Sequence, residues 1–115
     1  MLRIGQLARQ AGVSVRALRY YEEQGLLEAE RTPSGQRVYA ESSVDKVRFF
    51  QQLYAAGLTS RNIAELLPCI DTGHTDAVQR LMLEKQRAYI QARRDELDAV
   101  LDRLDEIIAI TRAHP

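Results

Sequence analysis

The chain has 115 residues, 16 Lys+Arg balanced by 16 Asp+Glu, and one cysteine. That length fits one compact domain, or a small domain with an extension. A single thiol excludes an internal disulfide framework and a cysteine-built zinc cluster. Charge is unevenly placed: residues 1–61 carry nine basic and six acidic side chains, and residues 62–115 carry seven and ten. A mildly basic front suits a nucleic-acid face there. No stretch reads as a signal peptide or membrane span, so a cytoplasmic location is expected.

Residues 4–27 read I-G-Q-L-A-R-Q-A-G-V-S-V-R-A-L-R-Y-Y-E-E-Q-G-L-L. Ile4, Leu7, Ala8 and Ala11 recur at helical spacing and predict one apolar face. Gly12 supplies the left-handed conformation that stops a helix. Ser14 is placed to cap the next one. There Val15 and Leu18 point inward, while Arg16, Arg19, Tyr20 and Glu23 share another face, and Gly25 ends the helix. Helix, glycine turn and second helix with an arginine- and tyrosine-bearing face is the layout of a helix-turn-helix, whose second helix enters the major groove. An ordinary helical hairpin with a solvated arginine face fits the periodicity as well.

Residues 28–39 change character around Pro33-Ser34-Gly35, which is turn chemistry. The flanks can pair as a two-stranded hairpin, a wing, with Arg31 and Arg37 beside its tip and within reach of phosphate oxygens. A plain surface loop is the other reading. Ser42-Ser43-Val44-Asp45 resembles a capping box with aspartate in the glutamate position. A helix to about Ala56 is expected to bury Val44, Val47, Phe50 (with Phe49 beside it), Leu53 and Tyr54, with Gly57 ending it. Thr59 is placed to cap a short helix over residues 60–67, with Ile63, Leu66 and Leu67 inward and Pro68 breaking it. Arg61 falls in the first turn, beside backbone N–H groups that favour anions.

By this point the chain resembles the MerR family of bacterial transcription regulators. The resemblance rests on I-G-Q-L-A at the start, G-V-S-V-R-A-L-R-Y-Y-E-E-Q-G-L-L at 12–27, S-G-Q-R-V-Y at 34–39 and A-G-L-T-S-R-N-I-A-E-L-L at 56–67. It implies a mainly α fold: a winged helix-turn-helix with a second helix pair over residues 1–67, a connecting loop over 68–75, a dimerisation helix over 76–112 forming an antiparallel coiled coil, and a tail over 113–115. It also implies promoter DNA and a second copy of the chain as partners, with RNA polymerase engaged indirectly through the promoter. By position, Ser14, Arg16, Arg19, Tyr20, Tyr21, Arg31, Arg37, Tyr39 and Arg61 form the implied DNA-binding set. Two positions depart from the family pattern. Gln36 stands where an aromatic is common after the wing glycine, and Ala40 stands where Ser or Thr often caps the following helix.

Residues 76–112 contain neither glycine nor proline. Leu83, Ile90, Leu97, Leu101, Leu104 and Ile108 trace an apolar seam, heptad-spaced from Leu97 onward and interrupted earlier by Arg87 and Arg94. A helix this long spans roughly 55 Å, more than the small front domain covers, so a second copy is the expected partner.

Metal-sensing relatives place ligand cysteines at the start of this helix and in a loop after it. Here Thr75 holds the first position, and the chain ends at Pro115, close after the helix. No metal, cofactor or iron–sulfur centre is therefore expected. Cys69 reads first as a small buried apolar residue and second as a thiol sensor. His74 is near it in sequence, and two ligands make no tetrahedral metal set. Without a second cysteine or a glycine-rich cofactor loop, an enzyme is not expected. The resemblance implies activation by distorting promoter spacer DNA in response to a signal. An effector-independent architectural or repressor protein is the alternative.

Overall fold

The first helix ends where the glycine requires it. In the computed structural model, which describes Met1–Pro115, α1 covers Ile4–Ala11, and Gly12 follows at φ 73°, its N–H bonded to the Ala8 carbonyl. A side chain at that φ would be strained, so the turn into α2 (Val15–Glu23) belongs to glycine. Ser14 caps α2 as expected: its Oγ accepts from the Ala17 N–H at 3.0 Å. Gln6 does the equivalent for α1 by accepting from the Arg3 N–H at 2.9 Å.

The wing forms as a minimal antiparallel pair, β1 (Glu30–Arg31) and β2 (Arg37–Val38), in register Glu30↔Val38 and Arg31↔Arg37. Its tip is closed by Thr32, whose carbonyl accepts from Gly35 N–H at 2.8 Å and whose hydroxyl accepts from Gln36 N–H at 3.1 Å. The chain start adds a bridge with no local signal in its residues. Leu2 and Tyr39 exchange two backbone bonds, each 2.7 Å. This ties the wing root to the residue just before α1.

Helix α3 spans Ser43–Ala55. The expected capping box at Ser42–Asp45 does not form. Ser42 already sits in helical φ/ψ (−62°, −17°) and its side chain makes no cap bond. The helix instead starts from a tight turn, with Ser43 N–H on the Ala40 carbonyl at 3.0 Å. Phe49 also departs from the expected face, pointing outward at 41% exposure while Val47, Phe50 and Leu53 are buried. Gly57, at φ 85°, turns the chain into α4, whose start carries a reciprocal cap between Thr59 and Asn62.

Helix α4 covers Ser60–Thr72 and runs through Pro68, so the break expected there is absent and the 68–75 loop shrinks to the residues after Thr72. Proline removes one N–H donor and crowds the preceding turn. The helix survives because the turn before it is buried through Ile63 and Leu66. Its end is also secured: Thr72 Oγ1 donates to the Pro68 carbonyl at 2.8 Å, and Gly73 in the left-handed region donates to Cys69 O at 2.8 Å.

The largest fully buried side chains are Tyr39, Phe50, Leu7, Leu18, Leu26, Ile63 and Val47, drawn from α1 to α4 and the wing root. Burying each apolar side chain of this size contributes on the order of 1.5–3 kcal/mol. The chain divides into two compact units, Met1–Asp76 and Ala77–Pro115. The second is a single helix, α5 (Ala77–Ala113), shifted one residue from the expected span and with no buried residue.

Candidate nucleic-acid interface

Helix α2 is anchored from below and open above. Leu18 (0% exposed) and Tyr21 (3%) fix it in the core. Tyr21 packs edge-on to Phe50 at 5.6 Å and stacks on Tyr54 at 6.0 Å, and its hydroxyl accepts from Gln51 Nε2. Burial pushes the Tyr21 phenol pKa up, with the neighbouring Tyr54 acting in the same direction. On the opposite face Arg16 and Arg19 are exposed, with Ser14 beside them, and Tyr20 retains 44% of its surface. Two guanidiniums and a phenol on a helix that cannot roll are suited to phosphates and to the acceptor edge of guanine.

The wing is locked to that helix by one carboxylate. Glu22 Oε2 accepts from Arg37 Nη1 at 2.7 Å, and Glu22 Oε1 accepts from the Tyr39 hydroxyl. Burial, then the hydrogen bond to Glu22, push the Tyr39 phenol pKa up to about 12. Tyr39 is 0% exposed. Tyr21 and Tyr39, expected beside Arg19 and Arg37 on the DNA-facing surface, are instead both buried. Both hold the surface up from inside. Adjacency in R-Y-Y and R-V-Y does not say which aromatic turns inward, so the sequence pattern groups them with their exposed neighbours. Arg37 keeps 46% of its side chain exposed although paired. Arg31 folds onto the wing tip, donating to the Gly35 carbonyl at 3.0 Å, and remains exposed.

Arg61 is exposed in the first turn of α4. Next to it lies a contact that sequence reasoning misses. The Tyr20 hydroxyl meets Ser60 Oγ at 2.9 Å, and Ser60 Oγ meets the Tyr54 hydroxyl at 2.6 Å. A serine at the first position of a helix carries no signal for so distant a partner. Arg48 braces the other side, donating to the Gln10 carbonyl at 2.7 Å and so linking α3 to the end of α1.

Cys69 is half-buried within α4 rather than in a loop. The six seam residues Leu83, Ile90, Leu97, Leu101, Leu104 and Ile108 are all exposed on α5, together with Val100 and Ile107. No helix of the chain is long and apolar enough to cross a membrane.

A helix-turn-helix with an adjoining wing and an outward arginine face defines a winged helix-turn-helix DNA-binding protein. The profile described as "MerR HTH family regulatory protein" matches residues 2–69, and the chain belongs to that family of transcription regulators. Its relatives are regulators, not enzymes. It is 33% identical over 109 residues to the HTH-type transcriptional regulator ZntR of Escherichia coli K12, covering 93% of this chain and 73% of that protein. It is 41% identical over 70 residues to the mercuric resistance operon regulatory protein of Bacillus cereus, covering 60% of this chain and about half, 53%, of the relative. Among solved structures it resembles the transcription regulator PbrR691 of Ralstonia metallidurans CH34 in complex with lead(II), at a TM-score of 0.78 and 27% identity, covering 92% of this chain and 84% of that one.

Proposed function

We propose that the protein acts as a homodimer on a pseudo-palindromic promoter site and distorts the spacer DNA there in response to a signal, so that RNA polymerase engages both promoter elements. The observation that carries this reading is the outward Arg16–Arg19–Tyr20 face of a core-anchored α2. In this reading Arg16 and Arg19 take base edges and phosphates in the major groove, and Tyr20 takes a phosphate. Ser14 lies at the amino end of α2, where a phosphate is favoured. Arg31 and Arg37 of the wing and Arg61 of α4 anchor on the flanking backbone, contacts that position the protein rather than read sequence.

The dimer comes from α5. An exposed seam of six large aliphatic side chains on one helix is unfavourable in water, and two antiparallel copies cover it. Two anchors held apart by paired helices can bend and untwist the DNA between them. Smooth elastic estimates put such deformation of a 20–30 bp site at about 1–6 kcal/mol, within what several charge-assisted contacts per half-site supply. The relatives' names mention mercury resistance and lead(II). Those are soft ions that thiolates select, and these residues carry one thiol, Cys69. These residues bring no group of three or more His, Cys, Asp or Glu side chains together at a metal-holding distance, and neither ion is proposed as the signal.

Arg19→Ala tests the reading. On a duplex selected from a random pool by the wild-type protein, the variant should lose specific binding while sedimenting as the wild type does. Wild-type affinity in the variant would sink the docking arrangement. Binding should also weaken steeply with salt.

A further inference from the structure

Tyr20 does not stand alone on the DNA face. Its hydroxyl is joined to Ser60 Oγ at 2.9 Å, and Ser60 Oγ to the Tyr54 hydroxyl at 2.6 Å. The far end of this chain of hydroxyls is held: the Tyr54 ring stacks on Tyr21 with centroids 6.0 Å apart and planes 15° off parallel, and Tyr21 is itself buried. Ser60 is the first residue of α4, whose start is fixed independently by the Thr59–Asn62 cap. The near end, Tyr20, is open to solvent.

Three hydroxyls carry three protons, and two contacts consume two of them. The third proton leaves the chain at an end that meets an acceptor. The Tyr54 end is packed against Tyr21, whereas the Tyr20 end shares its face with Arg16 and Arg19. An anionic acceptor at that face therefore selects the order Tyr54 donating to Ser60, Ser60 donating to Tyr20, and Tyr20 donating outward. Each bond polarises the next in such a chain, and the phenol is held at one place instead of swinging on its χ angles.

We propose that Ser60 is a positioning residue for DNA binding: its hydroxyl, backed by Tyr54, aims and polarises the Tyr20 phenol toward a DNA phosphate, coupling α2 to the start of α4. The inference rests on the DNA-binding reading above and adds to it two residues, Ser60 and Tyr54, that need not touch DNA.

The test is a double-mutant cycle on a duplex selected by the wild-type protein from a random pool, with urea unfolding of each variant alongside. Losing one neutral hydrogen bond corresponds to about a three- to tenfold weakening. Tyr20→Phe and Ser60→Ala should each lose about that much. The double variant should bind within about twofold of Tyr20→Phe alone, because the serine acts only through the phenol. Ser60→Thr, which keeps the hydroxyl, should bind within about twofold of wild type, and Tyr54→Phe should weaken binding only while Tyr20 is present. A merely structural serine would give losses that track unfolding midpoints and add to Tyr20→Phe. Additive losses, or wild-type affinity in Ser60→Ala, would overturn the proposal. Arg19→Ala, measured beside them, reports on the DNA-binding reading alone: if it binds as wild type, that reading fails, whereas loss there with an additive cycle removes only the role of Ser60.

Discussion

Replacing Glu22 by Ala should be the most damaging single change at the junction of wing and recognition helix. The carboxylate accepts from two donors, the Tyr39 hydroxyl and Arg37 Nη1. Its loss costs the two donors unequally. Tyr39 is 0% exposed, so its hydroxyl would be stranded away from water, at a cost of about 1–3 kcal/mol. Arg37 is 46% exposed on its side-chain surface and regains water, so its share is at most about 1 kcal/mol. The sum, about 1–4 kcal/mol, falls on the Met1–Asp76 unit, where each kcal/mol moves the midpoint by roughly 4–8 °C. The melting point should therefore drop by about 4–30 °C, measured by circular dichroism at one fixed protein concentration because association would shift it. Glu22→Gln keeps an acceptor for the phenol and should lose only about 1 kcal/mol, the charge assistance. Adding Tyr39→Phe to Glu22→Ala should recover part of the loss by removing the stranded donor. If Glu22→Ala unfolds within about 0.5 kcal/mol of wild type, a surface-change magnitude, the carboxylate does not clasp the wing to the helix.

Two other outcomes are expected from the same structure. Tyr39 ionises near 10 when unfolded and at about 12 when folded, so the folded state holds the proton longer. Its contribution is complete below pH 10 and is lost as pH rises from about 10 to about 12. Urea titrations across that window should fall more steeply for wild type than for Tyr39→Phe, and equal slopes would refute the assignment. Leu101→Glu with Leu104→Glu places four carboxylates per pair of helices into the apolar seam of α5 and should yield monomers by sedimentation velocity; an unchanged dimer would move the interface elsewhere.

Most of the secondary structure was legible because its causes are local. Gly12, Ser14, Gly57 and Thr59 act within three or four residues of themselves, and each does in the structure what its chemistry predicts. The spacing of Leu7, Ala8, Ala11 and Leu18 likewise places the core sides of α1 and α2, since 3.6-residue periodicity is a property of the chain itself. The outward side of α2, with Arg16 and Arg19 exposed, was legible for the same reason.

What local chemistry could not decide was set by packing between distant segments. Pro68 predicts a break, yet the helix continues because Ile63 and Leu66 hold the turn before it and Thr72 and Gly73 secure the end after it. Tyr20, Tyr21 and Tyr39 are chemically alike in sequence, but only Tyr20 lies on the surface. Which ring turns inward depends on Phe50, Gln51 and Tyr54 of α3 and on Glu22 of α2. The Leu2–Tyr39 bridge and the Tyr20–Ser60–Tyr54 contacts join residues 37, 40 and six positions apart. Caps, glycine stops and helical spacing are local, and they place most of the elements and the outward side of α2. Which aromatic and hydroxyl groups hold that side in place follows from packing between distant segments, because a hydrogen bond between residues far apart in sequence depends on where the whole core puts them.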